Sequence, residues 1–304
     1  MKVVLFCGGL GTRLREHSET VPKPLVQVGL RPIIWHLMRY YAHYGHTEFI
    51  LCLGYRGHMI REYFLNYQEA LSNDFTLSEG GRKIELHSSD IDKWKITFVD
   101  TGLNSNIGQR LLRVRHLLKG EEMFLANYSD GLTNLPLDQH VEAFRKRDAI
   151  ASFVSVQSKQ TFHAVRAAAD GTVQQIGPIG LQNMQINGGY FVLRREIFDY
   201  IDAGDELVDQ PFARLIAARK LATFPWHGFW QCMDTFKDKT TFDQMEAAGD
   251  CPWMVWRDEP LAARIAAAPV LDTKVIARPA RKRNGLGKRA ATGRRGNGLL
   301  QPAH

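Results

Sequence analysis

The chain has 304 residues, 44% of them hydrophobic and 23% charged, an ordinary globular composition that can bury a sizeable core. No stretch reaches the roughly 18 consecutive apolar residues of a membrane span, and Met1-Lys2-Val3-Val4-Leu5-Phe6 runs into glycines instead of a cleavage site, so neither a span nor a secretory signal is expected. The four cysteines, Cys7, Cys52, Cys232 and Cys251, lack CxxC spacing; no zinc site or disulfide framework is expected, and the expected compartment is the reducing cytoplasm. The net charge of +7 is uneven, because residues 251–304 hold 11 Lys+Arg against 3 Asp+Glu while residues 1–250 are close to neutral. A nucleic-acid-binding domain carries its basicity on a folded surface, so no nucleic-acid partner is expected.

Along the chain, short apolar runs alternate with amphipathic stretches, which predicts an α/β fold with a mostly parallel central sheet. Strands are expected over residues 3–6, 49–53, 96–99, 123–126, 151–156 and 190–193, several of them apolar on both faces as interior strands are. Helical spacing covers 32–44, 58–67, 110–118 and 137–146, with Pro32 acceptable in a first turn. Residues 164–168 and 173–176 flank Asp170-Gly171 and read as a hairpin. Trp35, Met38, Tyr41 and Tyr44 have the spacing of a buried helix face. Beyond Trp256, clusters such as Arg281-Lys282-Arg283 lie among Gly, Ala and Pro with little to bury. The expected organisation is a folded domain over 1–250 and a basic, disordered tail over 251–304.

The first strand ends in Gly8-Gly9-Leu10-Gly11-Thr12-Arg13-Leu14. Glycines let backbone N–H groups approach a phosphate chain, and a following arginine neutralises it. The spacing is that of neither a dinucleotide turn nor a Walker loop. Downstream, Val21-Pro22-Lys23-Pro24-Leu25 places one lysine between two prolines, which stiffen the backbone and present its ammonium from a defined position toward the same anion. Asp130, in Tyr128-Ser129-Asp130-Gly131, follows the strand at 123–126, where ligands of open α/β sheets bind.

Together the glycine turn and the Pro-Lys-Pro segment resemble the signature of the sugar-1-phosphate nucleotidylyltransferases. Residues 32–38, 52–57, 94–102, 186–193 and 228–235 extend the likeness over roughly 1–245 and narrow it to the cytidylyltransferase branch. The resemblance implies a Rossmann-like nucleotidyltransferase fold with a smaller β-rich sugar-binding part from about residue 157. It implies an enzyme that joins CTP and a sugar 1-phosphate, glucose 1-phosphate by default, into a CDP-sugar and pyrophosphate, on the way to surface polysaccharides. Gly8, Gly9, Gly11 and Thr12 would bind the nucleotide, with Arg13 and Lys23 as the catalytic cations on its phosphates. Asp130 and Asp234 would hold Mg²⁺, an ion that favours one or two carboxylates plus phosphate oxygens. Ser105 and Arg110 would contact nucleotide or substrate, Asn187 would bind the sugar hydroxyls, and the chain would form a homo-oligomer. The readings left beside it are a uridylyl- or thymidylyltransferase of the same superfamily and a non-catalytic nucleotide-sugar-binding regulator.

Departures from the family pattern lie mostly in the sugar half. Its Glu-Lys-Pro segment falls near 173–180, where this chain reads Val173-Gln174-Gln175-Ile176-Gly177-Pro178-Ile179-Gly180 without a lysine; the readings left open are a different sugar phosphate, a replacement cation such as Lys159 in the altered preceding loop, or weakened activity. Cys7, Ile107, Gln109 and Ser129 also differ from the family's smaller residues, Ser129 standing in place of a glycine.

Overall fold

Strand β1 (Val3–Cys7) is buried along its whole length, as an apolar run between two helical layers must be. A computed structural model describes residues 1–11, 21–157, 163–178, 184–258 and 270–272. In chain order, β1 is followed by α1 (Ile33–His43), β2 (Glu48–Leu53), α2 (Gly57–Leu65), the hairpin of β3 (Phe75–Ser78) and β4 (Lys83–Leu86), and β5 (Lys95–Asp100). Next come α3 (Ile107–Val114), β6 (Met123–Asn127), β7 (Gly131–Thr133), α4 (Leu137–Arg145), β8 (Ala151–Gln157), the hairpin of β9 (His163–Ala167) and β10 (Val173–Pro178), and β11 (Gln185–Arg194). The order ends with α5 (Gln210–Ala217), β12 (Leu221–Trp226), β13 (Trp230–Cys232), α6 (Phe236–Ala247) and β14 (Val270–Asp272).

The central sheet has seven strands in the order β12-β8-β11-β6-β1-β2-β5. Its ladders are parallel except that β11 runs antiparallel to both β8 and β6. All six strands read from the sequence lie in it. The seventh, β12, carries Pro225, which interrupts its strand pattern and is tolerated because β12 is an edge. The period of two along β1 sends Val3, Leu5 and Cys7 into the core under α1, and Val4 and Phe6 into a second core with Leu111 and Val114 of α3. Each such aliphatic side chain contributes about 1.5–3 kcal/mol relative to exposure.

The four helices expected from the spacing are present within a few residues, α3 beginning at Ile107 with Asn106 and Gln109 forming a capping box. The hairpin expected around Asp170-Gly171 is β9–β10, antiparallel and largely exposed. The boundary expected at residue 250 is corrected. Cys251, Trp253 and Trp256 are buried, Trp253 edge-on to Phe242 and His36 and Trp256 edge-on to Trp35. Indole rings bury too much apolar surface to belong to a solvated tail. Within the remainder, β14 pairs antiparallel with β4; the rest of the tail lies outside the described residues.

Candidate active site

The carboxyl ends of β1, β2, β5 and β6 open on one side of the sheet, the usual place for a ligand in this class of fold. Residues at or beyond the ends of β1, β5 and β6 border a cavity of about 370 Å³, lined by Gly9, Gly11 and Lys23 on one part of its wall and by Ser105, Asp130 and Asp234 on others. Its polar groups therefore come from segments far apart in the chain.

Antiparallel pairing of β13 with β7 sets Cys232 opposite Gly131, and the Met233 N–H donates to the Asp130 carbonyl at 2.8 Å. This ladder brings Asp130 and Asp234 together. Before Asp130 the chain turns at Ser129, which adopts φ +66, a left-handed conformation that disfavours side chains. Ser129 is held there by its hydroxyl, which donates to the Phe6 carbonyl at 2.7 Å, and by its N–H, which donates to Asn127 Oδ1 at 2.8 Å. Beyond Asp234, Thr235 caps α6 and forms a capping box with Asp238.

Lys23 comes from a 3-10 turn (Lys23–Leu25) whose Pro24 and Leu25 are buried. Its ammonium donates to Asp130 Oδ2 at 2.7 Å and to Asp234 Oδ1 at 2.9 Å. Burial works to lower the lysine pKa, but the two carboxylates outweigh it and hold the ammonium above its ordinary value. Burial likewise raises the Asp130 carboxyl, against the pull of Lys23. Two carboxylates at close range repel, and the Lys23 ammonium lies between them. The donor set fits Mg²⁺, since both carboxylates reach the cavity and the ion needs few protein ligands when phosphates supply the others. Among the described residues no third His, Cys, Asp or Glu joins them in a metal-binding group.

Arg110 is 3% exposed. Its Nη1 donates to Thr101 Oγ1 at 2.7 Å, the Gly102 carbonyl at 2.9 Å and the Leu53 carbonyl at 3.2 Å, and its Nη2 to the carbonyls of Gly8 at 3.0 Å and Leu103 at 3.3 Å. Arg110 borders the cavity, and these protein acceptors take up the N–H groups of its two terminal nitrogens. Ser105 also lines the cavity, its hydroxyl donating to the Thr101 carbonyl. Asn187 is not among the residues lining the cavity; it donates to the Tyr128 hydroxyl at 3.2 Å while its own Oδ1 accepts from the Gly189 N–H. Thr12, Arg13 and Lys159 fall outside the described residues.

Tyr128 and Glu206 are among the lining residues missed by sequence reasoning. Tyr128 adjoins the Ser129-Asp130 motif and could have been read with it, whereas Glu206, whose carboxylate accepts from the Ile107 N–H at 3.2 Å, comes from a loop with no sequence signal. Cys7 borders the cavity too, but burial pushes its thiol up to about 12 and leaves it without nucleophilic character at neutral pH.

Residues 2–217 match the nucleotidyl transferase family. The chain belongs to that family. It is similar to glucose-1-phosphate cytidylyltransferase of Salmonella typhimurium, with 37% identity over 84% of this chain and 100% of the relative. Its likeness to the enzyme of the same name from Salmonella typhi is 38% identity over the same shares. Among solved structures, a UDP-glucose pyrophosphorylase complexed with UDP-glucose superposes with TM-score 0.59 at 16% identity, over 82% of this chain and 98% of that one. The fold is therefore that of the nucleotidyltransferases, and this family member is a nucleotidyltransferase. Among the described residues no helix is long and apolar enough to cross a membrane.

Proposed function

We propose that this protein transfers the cytidylyl group of CTP to glucose 1-phosphate, giving CDP-glucose and pyrophosphate. The observation that carries the reading is the convergence of Lys23, Asp130 and Asp234 on one cavity beside the glycine turn. It is supported by the full-length match to relatives bearing that activity's name. An oxygen of the sugar phosphate attacks the α-phosphorus in line, a new P–O bond forms, and the bond from that phosphorus to the bridging oxygen breaks with pyrophosphate as leaving group. The protein's part is alignment and compensation of charge. The glycine turn offers backbone N–H groups to the triphosphate, and Arg13, which follows it in the sequence, supplies a cation. Lys23 turns from the aspartates toward the phosphates once they enter. Mg²⁺ held by Asp130 and Asp234 would supply charge neutralisation between the two anionic substrates.

The sugar side is built from Asn187, Tyr128 and the exposed β9–β10 hairpin, with Lys159 substituting for the lysine that β10 lacks. The protein acts in the cytoplasm as a homo-oligomer. The decisive experiment sets four nucleoside triphosphates against several sugar 1-phosphates and reads pyrophosphate release. Turnover confined to CTP with glucose 1-phosphate is expected. Preference for UTP or dTTP would reassign the base, and binding without release would mark a regulator.

A further inference from the structure

Strand β11 is interrupted where it passes the site. Phe191 faces Phe153 of β8 and Asn187 faces Ser155, so the single residue Val154 stands against Gly188, Gly189 and Tyr190. On its other edge β11 pairs with β6 only from Tyr190 onward. Gly188 and Gly189 therefore form a bulge, a device that re-aims neighbouring side chains, and their backbone polar groups need partners from outside the ladders. Two side chains supply them. The Gly189 N–H donates to Asn187 Oδ1 at 2.9 Å, and the Gly188 carbonyl accepts from Trp230 Nε1 at 2.8 Å.

The bulge in turn supports the cavity wall. Asn187 Nδ2 donates to the Tyr128 hydroxyl at 3.2 Å, and Tyr128 lines the cavity. Gly189 has φ +75, and a Cβ on it would lie 2.6 Å from Tyr128 Cδ2, so the bulge backbone rests on the tyrosine ring. Trp230 is half-buried and is not among the residues lining the cavity. It belongs to β13, whose pairing with β7 sets it opposite Thr133 and Cys232 opposite Gly131, two residues before Asp234. We propose that Trp230 is a positioning residue for the sugar half of the site. Its indole N–H fixes the bulge and, through Asn187 and Tyr128, sets affinity for the sugar 1-phosphate while touching neither substrate. The proposal rests on the reading of Asn187 and Tyr128 as the sugar side.

The test compares Trp230→Phe with the natural chain in the KM for glucose 1-phosphate at saturating CTP, in kcat, and in CTP affinity by calorimetry. Phenylalanine keeps an aromatic ring and loses the N–H. The KM for glucose 1-phosphate should rise about three- to tenfold, the size of one lost hydrogen bond, while kcat and CTP affinity change less than about twofold. In an Asn187→Ala background the same replacement should cost less than about twofold further, because residues acting through one another are not additive. Should Trp230→Phe not fold, benzothienylalanine at position 230 keeps the bicyclic ring, exchanges the N–H for sulfur and should reproduce the loss. A natural KM in either variant overturns the proposal. So does a full further loss in the Asn187→Ala background, which would mark an independent contact with the sugar, and so does an equal weakening of CTP, which would mark a merely structural role. Turnover with a sugar 1-phosphate other than glucose 1-phosphate overturns the choice of sugar alone, and the same ratios are then read with that sugar. A natural chain that turns over no sugar 1-phosphate overturns the proposed reaction and this proposal together.

Discussion

The Lys23 ammonium stands 2.7 Å from Asp130, on the spot between Asp130 and Asp234 that a divalent cation would take. If Asp130 and Asp234 hold the ion as proposed, lysine and metal compete for this spot until a triphosphate draws the lysine away. Lys23→Met should tighten Mn²⁺ binding in the absence of nucleotide by about tenfold, or 1.4 kcal/mol, because a unit positive charge leaves the site. The same variant should bind CTP more weakly. Titration followed by electron paramagnetic resonance checks the first effect; unchanged or weaker Mn²⁺ binding would show that the two cations do not share the space.

Asp130→Asn and Asp234→Asn each remove an anionic oxygen with almost no change of volume. Pyrophosphate release should fall at least about a hundredfold in each, the loss expected for a displaced metal ligand. Circular dichroism should be unchanged. Near-natural turnover in either variant would remove that residue from the metal site.

Ser129 joins a strained backbone conformation to a compensating hydroxyl. Ser129→Ala keeps φ +66 and loses the bond to the Phe6 carbonyl, for an expected cost of about 1–3 kcal/mol. Ser129→Gly loses the same bond but relaxes the turn, so its cost should be smaller by about 1 kcal/mol. Equal denaturation midpoints for the two variants would show that the turn is unstrained.

A pH effect is expected far from the cavity. Glu69 accepts from the Ile91 N–H at 2.9 Å, the Asp90 N–H at 3.1 Å and Asn73 Nδ2 at 2.7 Å, yet burial first, and the neighbouring Asp90 next, push it up to about 7. A carboxyl whose folded pKa is raised favours the fold when protonated. Its contribution is complete below the unfolded value near 4.3 and is lost as pH rises through 7. Melting temperature should therefore decline between pH 5 and 8, and Glu69→Gln should flatten that slope. Identical slopes in the two proteins would exclude Glu69 as the cause.

Trp253 is 1% exposed between α1 and α6. Trp253→Ala should cost about 3–5 kcal/mol, and a chain ending before it should not fold stably. A chain ending at residue 258 should fold and keep its turnover if the basic tail takes no part in chemistry. Loss of activity in a folded, shortened chain would place the tail in the site or the assembly.

The layering of this protein follows from its local hydrophobic pattern. Runs such as Val3–Cys7, apolar on both faces, can be satisfied only inside a sheet covered by helices, and alternation of such runs with amphipathic segments leaves few arrangements beyond a parallel α/β sheet. The sequence also pointed to Lys23 and Asp130, because prolines beside a lysine and an aspartate after a strand are local signals, whereas Asp234 came only from the resemblance to a family. Where those side chains go was decided by tertiary structure. The meeting of Asp130 with Asp234 depends on the pairing of β13 with β7, a long-range register that no local pattern encodes. The surroundings of Arg110 depend on four carbonyls brought to it at or beyond the ends of three separate strands. Glu206 and the packed tryptophans after residue 250 became visible only in space. A side chain's partner is chosen by electrostatics and packing among segments distant in the chain, whereas periodicity reports only which face of its own element it occupies.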